Sequence, residues 1–285
     1  MTEIFAASLT PFTSGGADVD HGWIPAHLRW LESHGLSGVV PCGTTGEGPS
    51  IGFAERMAVI DTVLAHRGGL KVIPGTGCAA LPDTIALTRY ALQHGADSAL
   101  VLPPFFIKGI SDAGLLAYYR AVCDALPTGG TIMLYHIPQV SSVPISAEVI
   151  AGLLASHPDR IMGLKDSAGD PDHTAMLIIR FPQLRIYTGS AAGFARALAD
   201  GAAGGIFAVA NAFPQTMCAI AAGETGAQER AAVISTMLKS YSPIAALKAL
   251  LPHLAGLPAS AVRPPLLDMT ANEITTLAAS IKALP

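Results

Sequence analysis

Short apolar runs alternate with amphipathic segments eight times along this chain, and that rhythm admits few folds. The runs are residues 4–9 (IFAASL), 38–42 (GVVPC), 71–75 (KVIPG), 98–102 (SALVL), 131–137 (TIMLYHI), 161–165 (IMGLK), 185–189 (RIYTG) and 204–209 (GGIFAV). Each is too short for a typical helix and is bounded by glycine, proline or polar residues, as buried strands are. Helical periodicity fills 23–33, 53–66, 81–94, 112–125, 146–156, 171–181 and 192–199. Pro82 and Pro171 suit first helical turns, and Gly35, Gly68, Gly95 and Gly201 suit C-terminal caps. Strands joined by crossover helices run parallel, so eight such units predict an α/β fold, a closed (β/α)8 TIM barrel. An open doubly wound sheet would share the pattern at this level.

From Pro214 the pattern is helical only, with breaks at 223–226, Pro252, 256–258 and 264–265. We therefore expect a barrel over residues 1–224 and a helical C-terminal extension over 225–285. No Gly/Ser-rich linker separates them, so the extension should pack on the barrel.

Composition narrows the partners. Of the 285 residues, 51% are hydrophobic and only 13% charged, the reverse of a disordered chain. The net charge is −4 with no Lys/Arg cluster, which leaves nucleic acid and anionic membranes without an electrostatic footprint. The uncharged stretch 201–223 approaches membrane-span length, but Asn211, Pro214 and Gln215 interrupt it and its first part reads as a strand. Cys42, Cys78, Cys123 and Cys218 form no CxxC pair, and the first residues lack the pattern of a secretion signal. The expectation is a cytoplasmic protein with reduced thiols.

In a barrel of this kind the chemistry sits at the C-terminal ends of the strands. Lys165 closes the run IMGLK, where its amine would point into the mouth; a desolvated lysine amine can attack a carbonyl and form a Schiff base. The competing readings are a snorkelling strand-end lysine or a pair with Asp166, and Lys108 in the loop after the fourth run is the rival nucleophile. Tyr135 lies near the end of the fifth run, next in sequence to the strand of Lys165, and a phenol there could move protons. GTTGEG at 43–48 offers backbone N–H groups and two hydroxyls to an anion, a carboxylate in particular.

Together these residues resemble a known family. GTTGE after the second strand, YHIP in the fifth and GLKDS at the sixth occur in the order and spacing of the dihydrodipicolinate synthase and N-acetylneuraminate lyase family, Schiff-base class I lyases on a TIM barrel. LTPF at 9–12, the pair Gly189 and Ser190, GGIFAVAN at 204–211 and the helical extension extend the likeness over nearly the whole chain. The resemblance implies that Lys165 forms the imine with a 2-oxo acid, usually pyruvate, that Tyr135 shuttles protons, and that Thr44 relays them. It implies that Thr45, with Gly43, Gly189 and Ile206, lines the substrate site, and that the protein is a homotetramer built as a dimer of dimers.

The departures are informative. Members that make dihydrodipicolinate carry an arginine two residues after the YNxP motif to bind the second carboxylate, where this chain has Val140. A valine cannot pair with a carboxylate. Their second relay tyrosine, in a PYY-like motif from the neighbouring subunit, is matched here by Phe106 in Pro104-Phe105-Phe106. His136 replaces the usual asparagine, either as a buried hydrogen-bonded strand residue or as a group near the site. We therefore expect cleavage or formation of a 4-hydroxy-2-oxo acid. The alternatives are authentic 4-hydroxy-tetrahydrodipicolinate synthesis from pyruvate and aspartate semialdehyde, or a silent 2-oxo acid binding protein. No metal or cofactor is expected, because the nine histidines show no ligand spacing and an imine already supplies the electron sink.

Overall fold

Four of the strands stop two residues short of a proline. In the computed structural model, which describes residues 2–284, β2 (Gly38–Val39), β3 (Lys71–Val72), β4 (Ala99–Val101) and β5 (Ile132–His136) end before Pro41, Pro74, Pro103 and Pro138. Proline brings no N–H to a ladder and restricts the residue before it, so these strands are shorter than their apolar runs. The others are β1 (Glu3–Ala6), β6 (Ile161–Asp166), β7 (Arg185–Thr188) and β8 (Gly204–Phe207). Ala208 turns helical and a short 3₁₀ turn follows at Val209–Asn211, which is why β8 ends before residue 209.

All eight strands are parallel, in the order β3-β2-β1-β8-β7-β6-β5-β4. The ends of that order meet through one bridge between Gly75 and Leu100, with Leu100 N donating to Pro74 O at 2.8 Å and Thr76 N to Leu100 O at 3.0 Å. Gly75 is needed at this closure: a Cβ there would lie 2.7 Å from the Cys42 carbonyl oxygen. The result is the closed (β/α)8 barrel rather than the open sheet. Its interior is filled by Phe5, Val40, Ile73, Leu100, Met133, Tyr135, Tyr187 and Ile206, while alternate residues such as Ile4, Leu134 and Leu164 face the helices.

The crossover helices are α1 (Ile24–Ser33), α2 (Phe53–Ala65), α3 (Leu81–Gln93), α4 (Asp112–Asp124), a single turn α5 (Pro138–Ser141), α6 (Ala147–Ser156), α7 (Pro171–Arg180) and α8 (Phe194–Ala199). The turn α5 carries no periodicity and was invisible in the sequence. Ser111, Ser146 and Asp170 accept N–H bonds at the starts of α4, α6 and α7, and Gly35, Gly68, Gly95 and Gly201 all take positive φ after helices.

Beyond the barrel lie α9 (Pro214–Ala221), α10 (Ala227–Lys239), α11 (Pro243–Leu254) and α12 (Ala271–Lys282). Leu238, Leu247, Leu251 and Leu277 share one hydrophobic cluster with Ile4, Ala6 and Phe207 of the barrel strands, so the extension packs on the barrel. Pro252 does not break the chain as expected but lies inside α11. It falls in the last turn, and the roughly 3 kcal/mol that an interior proline costs is offset by Leu247, Leu250 and Leu251, each worth about 1.5–3 kcal/mol when buried. No helix among the described residues is long and apolar enough to cross a membrane.

Candidate active site

β5 and β6 are hydrogen-bonded in a register that sets Tyr135 opposite Lys165 and His136 opposite Asp166. Successive residues of a strand point to opposite faces, so the first pair enters the barrel and the second faces the helices. Lys165 is 5% exposed; its Nζ donates to the Tyr135 Oη at 3.4 Å and stands 4.4 Å from the centre of that ring. The Tyr135 hydroxyl in turn lies 3.2 Å from Thr44 Oγ1. Amine, phenol and threonine form one chain of contacts at the mouth.

The reading of Lys165 as a partner of Asp166 is thereby excluded. The Asp166 carboxylate, on the outer face, accepts from Ala168 N at 3.1 Å, His173 Nδ1 at 2.9 Å and Thr174 Oγ1 at 2.7 Å. Lys108, the rival nucleophile, is exposed and donates to the carbonyls of Phe105 at 2.9 Å and Ser141 at 3.4 Å. Lys71 sits at the opposite end of the barrel, paired with Glu3 at 2.6 Å.

The loop after β2 is tightly folded. Glu47 N donates to Thr44 O at 3.1 Å, Gly48 N to Gly43 O at 2.9 Å, and Thr10 Oγ1 to Gly46 O at 2.7 Å. Arg56 of α2 clasps the carbonyl of Gly48 and donates to that of Gly77 at 3.0 Å. The backbone N–H groups of Thr44 and Thr45 make no hydrogen bond among the described residues, and adjacent unpaired backbone donors in a loop suit a carboxylate. Gly43 and Thr44 line a cavity of about 40 Å³ with Tyr135, Leu102 and Phe105.

The remaining candidates lie apart from that cavity. Ile206 is buried in the barrel interior beside Tyr135. Gly189, after β7, lines a cavity of about 310 Å³ with Ser167, Ser190 and Val209. It is packed against the end of β6, since a methyl there would overlap the Ser167 hydroxyl and lie 3.0 Å from its Cβ. Thr45 has no side-chain hydrogen bond among the described residues.

His136 is the buried strand residue of the two readings. Its Nδ1 accepts from Ile145 N at 3.1 Å, and its ring stacks on His173 with centres 4.6 Å apart. Burial pushes its pKa down, with the nearby Asp166 charge acting against that and His173 adding to it. The Nδ1 bond leaves the proton on Nε2 in the neutral ring, so although His136, Asp166 and His173 have ligand atoms within 4.8 Å of one another, His136 presents no lone pair to a metal there. Ser141 is buried, and its hydroxyl donates toward the carbonyls of Ile137 and Val143, each at 3.1 Å. Val140 is 56% exposed, and Gln139 donates to Ser167 O at 2.5 Å. Burial pushes the Cys42 and Cys123 thiols up to about 12, as inert core thiols require.

Sequence reasoning missed two groups. One is the Asp166, His173 and Thr174 network; the only hint was Asp170-Pro171, which starts α7 and so carries residues 173 and 174 back toward β6. The other is Glu47, whose partners, the buried Lys248 and the backbone N–H of Arg263, lie more than 200 positions away.

With this geometry in view, the comparisons with known proteins are consistent. A sequence model described as the Dihydrodipicolinate synthetase family matches residues 1–284. An uncharacterized DapA-like lyase of Chloroflexus aurantiacus is 49% identical over 99% of this chain and 96% of its own length. Among solved structures, dihydrodipicolinate synthase from Agrobacterium tumefaciens is 31% identical with a TM-score of 0.90, covering 100% of this chain and 99% of the other. YagE of E. coli, a prophage protein of the dihydrodipicolinic acid synthase family crystallised with pyruvate, is 26% identical with a TM-score of 0.91, covering 99% and 98%. The chain belongs to the dihydrodipicolinate synthetase family of Schiff-base lyases.

Proposed function

We propose that this lyase makes or breaks the C3–C4 bond of a 4-hydroxy-2-oxo acid through an imine on Lys165, with pyruvate or a close 2-oxo acid as the ketone fragment. The observation that carries the reading is the chain from Thr44 Oγ1 to Tyr135 Oη at 3.2 Å and on to Lys165 Nζ at 3.4 Å. The amine attacks C2, and the carbinolamine oxygen leaves as water with a proton delivered by Tyr135. In cleavage the 4-hydroxyl gives up its proton, C3–C4 breaks, the iminium takes the electron pair, and an aldehyde departs. The enamine is then protonated at C3 and hydrolysed. Tyr135 holds and returns the proton in each step, and Thr44 links it to the loop. The free N–H groups of Thr44 and Thr45 receive the 2-oxo acid carboxylate, with Gly43 shaping that loop, Ile206 in the barrel interior beside Tyr135, and Gly189 lining the separate cavity after β7 that takes the rest of the substrate.

Substrate choice follows from what faces the mouth. Val140 offers no charge to a second carboxylate, and Phe106 offers no hydroxyl. His136 and Ser141 are committed elsewhere, and Ser167 and Ser190, which line the cavity beside Gly189, serve as hydroxyl partners for a hydroxylated tail. The reading needs no metal or cofactor. It takes residues 1–224 as the catalytic barrel and 225–285 as its extension, working in the cytoplasm as a homotetramer. The exposed apolar side chains of Phe106 (81%) and Ile107 (65%) support an assembled state, which light scattering at micromolar concentration tests.

The deciding experiment is borohydride trapping with pyruvate, followed by comparative kinetics. A reduced pyruvyl adduct is expected on the peptide carrying Lys165, none on that carrying Lys108, and none in a folded Lys165→Ala variant. Expected next is a higher kcat/KM for 4-hydroxy-2-oxoglutarate or a 2-keto-3-deoxy sugar acid than for pyruvate with aspartate semialdehyde. No adduct with any 2-oxo acid would overturn the mechanism, and a tenfold preference for aspartate semialdehyde would overturn the substrate reading.

A further inference from the structure

Glu47 ends the GTTGE segment in a left-handed conformation, φ 54°, that a non-glycine residue takes only when its surroundings hold it there. Its carboxylate is buried. Oε1 meets Lys248 Nζ of α11 at 2.6 Å, both side chains being 1% exposed, and Oε2 accepts from Arg263 N at 2.9 Å. Lys248 also donates to Ala261 O at 2.7 Å and stands 4.5 Å over the Phe12 ring. Among the described residues, both donors on this carboxylate come from the C-terminal extension, and neither Glu47 nor Lys248 is hydrogen-bonded to Lys165.

A buried ion pair is a poor way to gain stability, because desolvating both charges consumes most of their attraction and an apolar pair of similar volume often serves better. Burial indeed pushes the Lys248 pKa down, with Glu47 acting to raise it. What the pair does supply is direction. Glu47 is bound to Thr44 through its own N–H, donated to Thr44 O at 3.1 Å. The path therefore runs without a gap from the extension through Lys248 and Glu47 to the turn at 44–47, then through the Thr44 hydroxyl to Tyr135 and Lys165.

We propose that Lys248 and Glu47 are positioning residues: the lysine of the extension fixes the 44–47 turn so that Thr44 stays on Tyr135 and the free N–H groups of Thr44 and Thr45 stay aimed at the substrate carboxylate. The functional part of this rests on the imine mechanism above; the structural part does not. The extension is on this view a component of the active site rather than a brace on the outside of the barrel.

The test compares intact wild-type protein with Lys248→Met, Glu47→Gln, the combination of the two, and Leu153→Ala as a control whose lost packing lies in α6, in a different hydrophobic cluster. Amide exchange by mass spectrometry reads the peptide spanning 43–50, and borohydride trapping across pyruvate concentrations separates half-saturation from maximal rate. In Lys248→Met the 43–50 peptide should exchange about tenfold faster and half-saturation should rise about tenfold, the scale of a sub-ångström to ångström misplacement of a binding group. Leu153→Ala should lower the melting temperature and change neither. Unchanged exchange at 43–50 in Lys248→Met, or an equal change in Leu153→Ala, would reduce the pair to glue and overturn the proposal. Failure of all three site variants to fold would count against it in the same way. If wild-type protein traps no 2-oxo acid, the imine mechanism fails, and exchange alone still decides whether Lys248 holds the turn.

Discussion

Replacing Asp166 with asparagine tests whether the strand that carries Lys165 is anchored from behind. The carboxylate has no exposed side-chain surface and accepts three hydrogen bonds, two of them on Oδ2 from His173 and Thr174. A hydrogen bond to a charged group is worth about 1.5–3 kcal/mol, so losing both bonds on Oδ2 sets a ceiling of about 3–6 kcal/mol. Asparagine keeps the bond from Ala168 N on its oxygen and recovers about 1 kcal/mol when its amide donates to the Thr174 hydroxyl, a neutral bond. The expected loss in unfolding free energy is therefore about 2–5 kcal/mol. Urea unfolding followed by the fluorescence of Trp23 and Trp30 measures it, with the slope checked against wild type. Because Asp166 is bonded to the helix that backs β6, the rate of borohydride trapping at Lys165 should fall as well. A loss below about 1 kcal/mol, with trapping unchanged, would refute the view that this carboxylate is what seats the end of β6.

Three further outcomes follow. Tyr135→Phe keeps the ring over Lys165 but removes the hydroxyl, and kcat should drop about 10²- to 10⁴-fold while imine formation persists slowly; a rate within threefold of wild type would move the proton shuttle to another group. His27 is fully buried and donates to Asn211 O at 3.3 Å, and burial holds its pKa at about 4 against an ordinary 6.5. Below pH 6.5 the unfolded chain takes up a proton that the folded one refuses, so stability is lost as pH falls from 6.5 to about 4, by roughly 3 kcal/mol in total. His27→Gln should flatten that part of the curve, and a constant offset between variant and wild type across this range would disprove the assignment. Gly189→Ala should cost about 1–3 kcal/mol by overpacking Ser167, and adding Ser167→Gly should restore most of it; strictly additive losses in the double variant would mean the two sites do not touch.

Much of this architecture was legible because period and punctuation are local. The alternation along 161–166 is enough to send Lys165 inward and Asp166 outward, and glycines at 35, 68, 95 and 201 end helices as read. Strand ends were overextended because the apolar run outlasts the ladder: Val40 and Ile73 are buried like strand residues, but a proline follows each. Pro252 misled in the opposite sense, since a local breaker was outweighed by three leucines packed against distant barrel residues. Lys165, Tyr135 and Thr44 could be placed together from their strand-end positions and the family motifs. Glu47 could not, for its chemistry depends on Lys248 and Arg263, and nothing local in GTTGE distinguishes a turn glutamate from a buried counter-ion.

The ring closes between β3 and β4 through the bridge of Gly75 and Leu100, and its pairing is uneven around the circumference. On one side β5 and β6 share five residue pairs, with a register shift between Ile132 and Met133, β6 and β7 share four, and Lys165 and Tyr135 stand on adjoining strands there. On the other side β2 and β3 share only two residue pairs, and the carboxylate loop is hung from that thinly stitched arc. Lys165 and Tyr135 thus stand on the more densely paired arc, and the 43–48 loop on the sparsely paired one. On the function proposed above, substitutions along the sparsely paired arc would reshape the mouth while Lys165 keeps its place on β6, so one imine chemistry could pass from one aldehyde partner to another without being rebuilt.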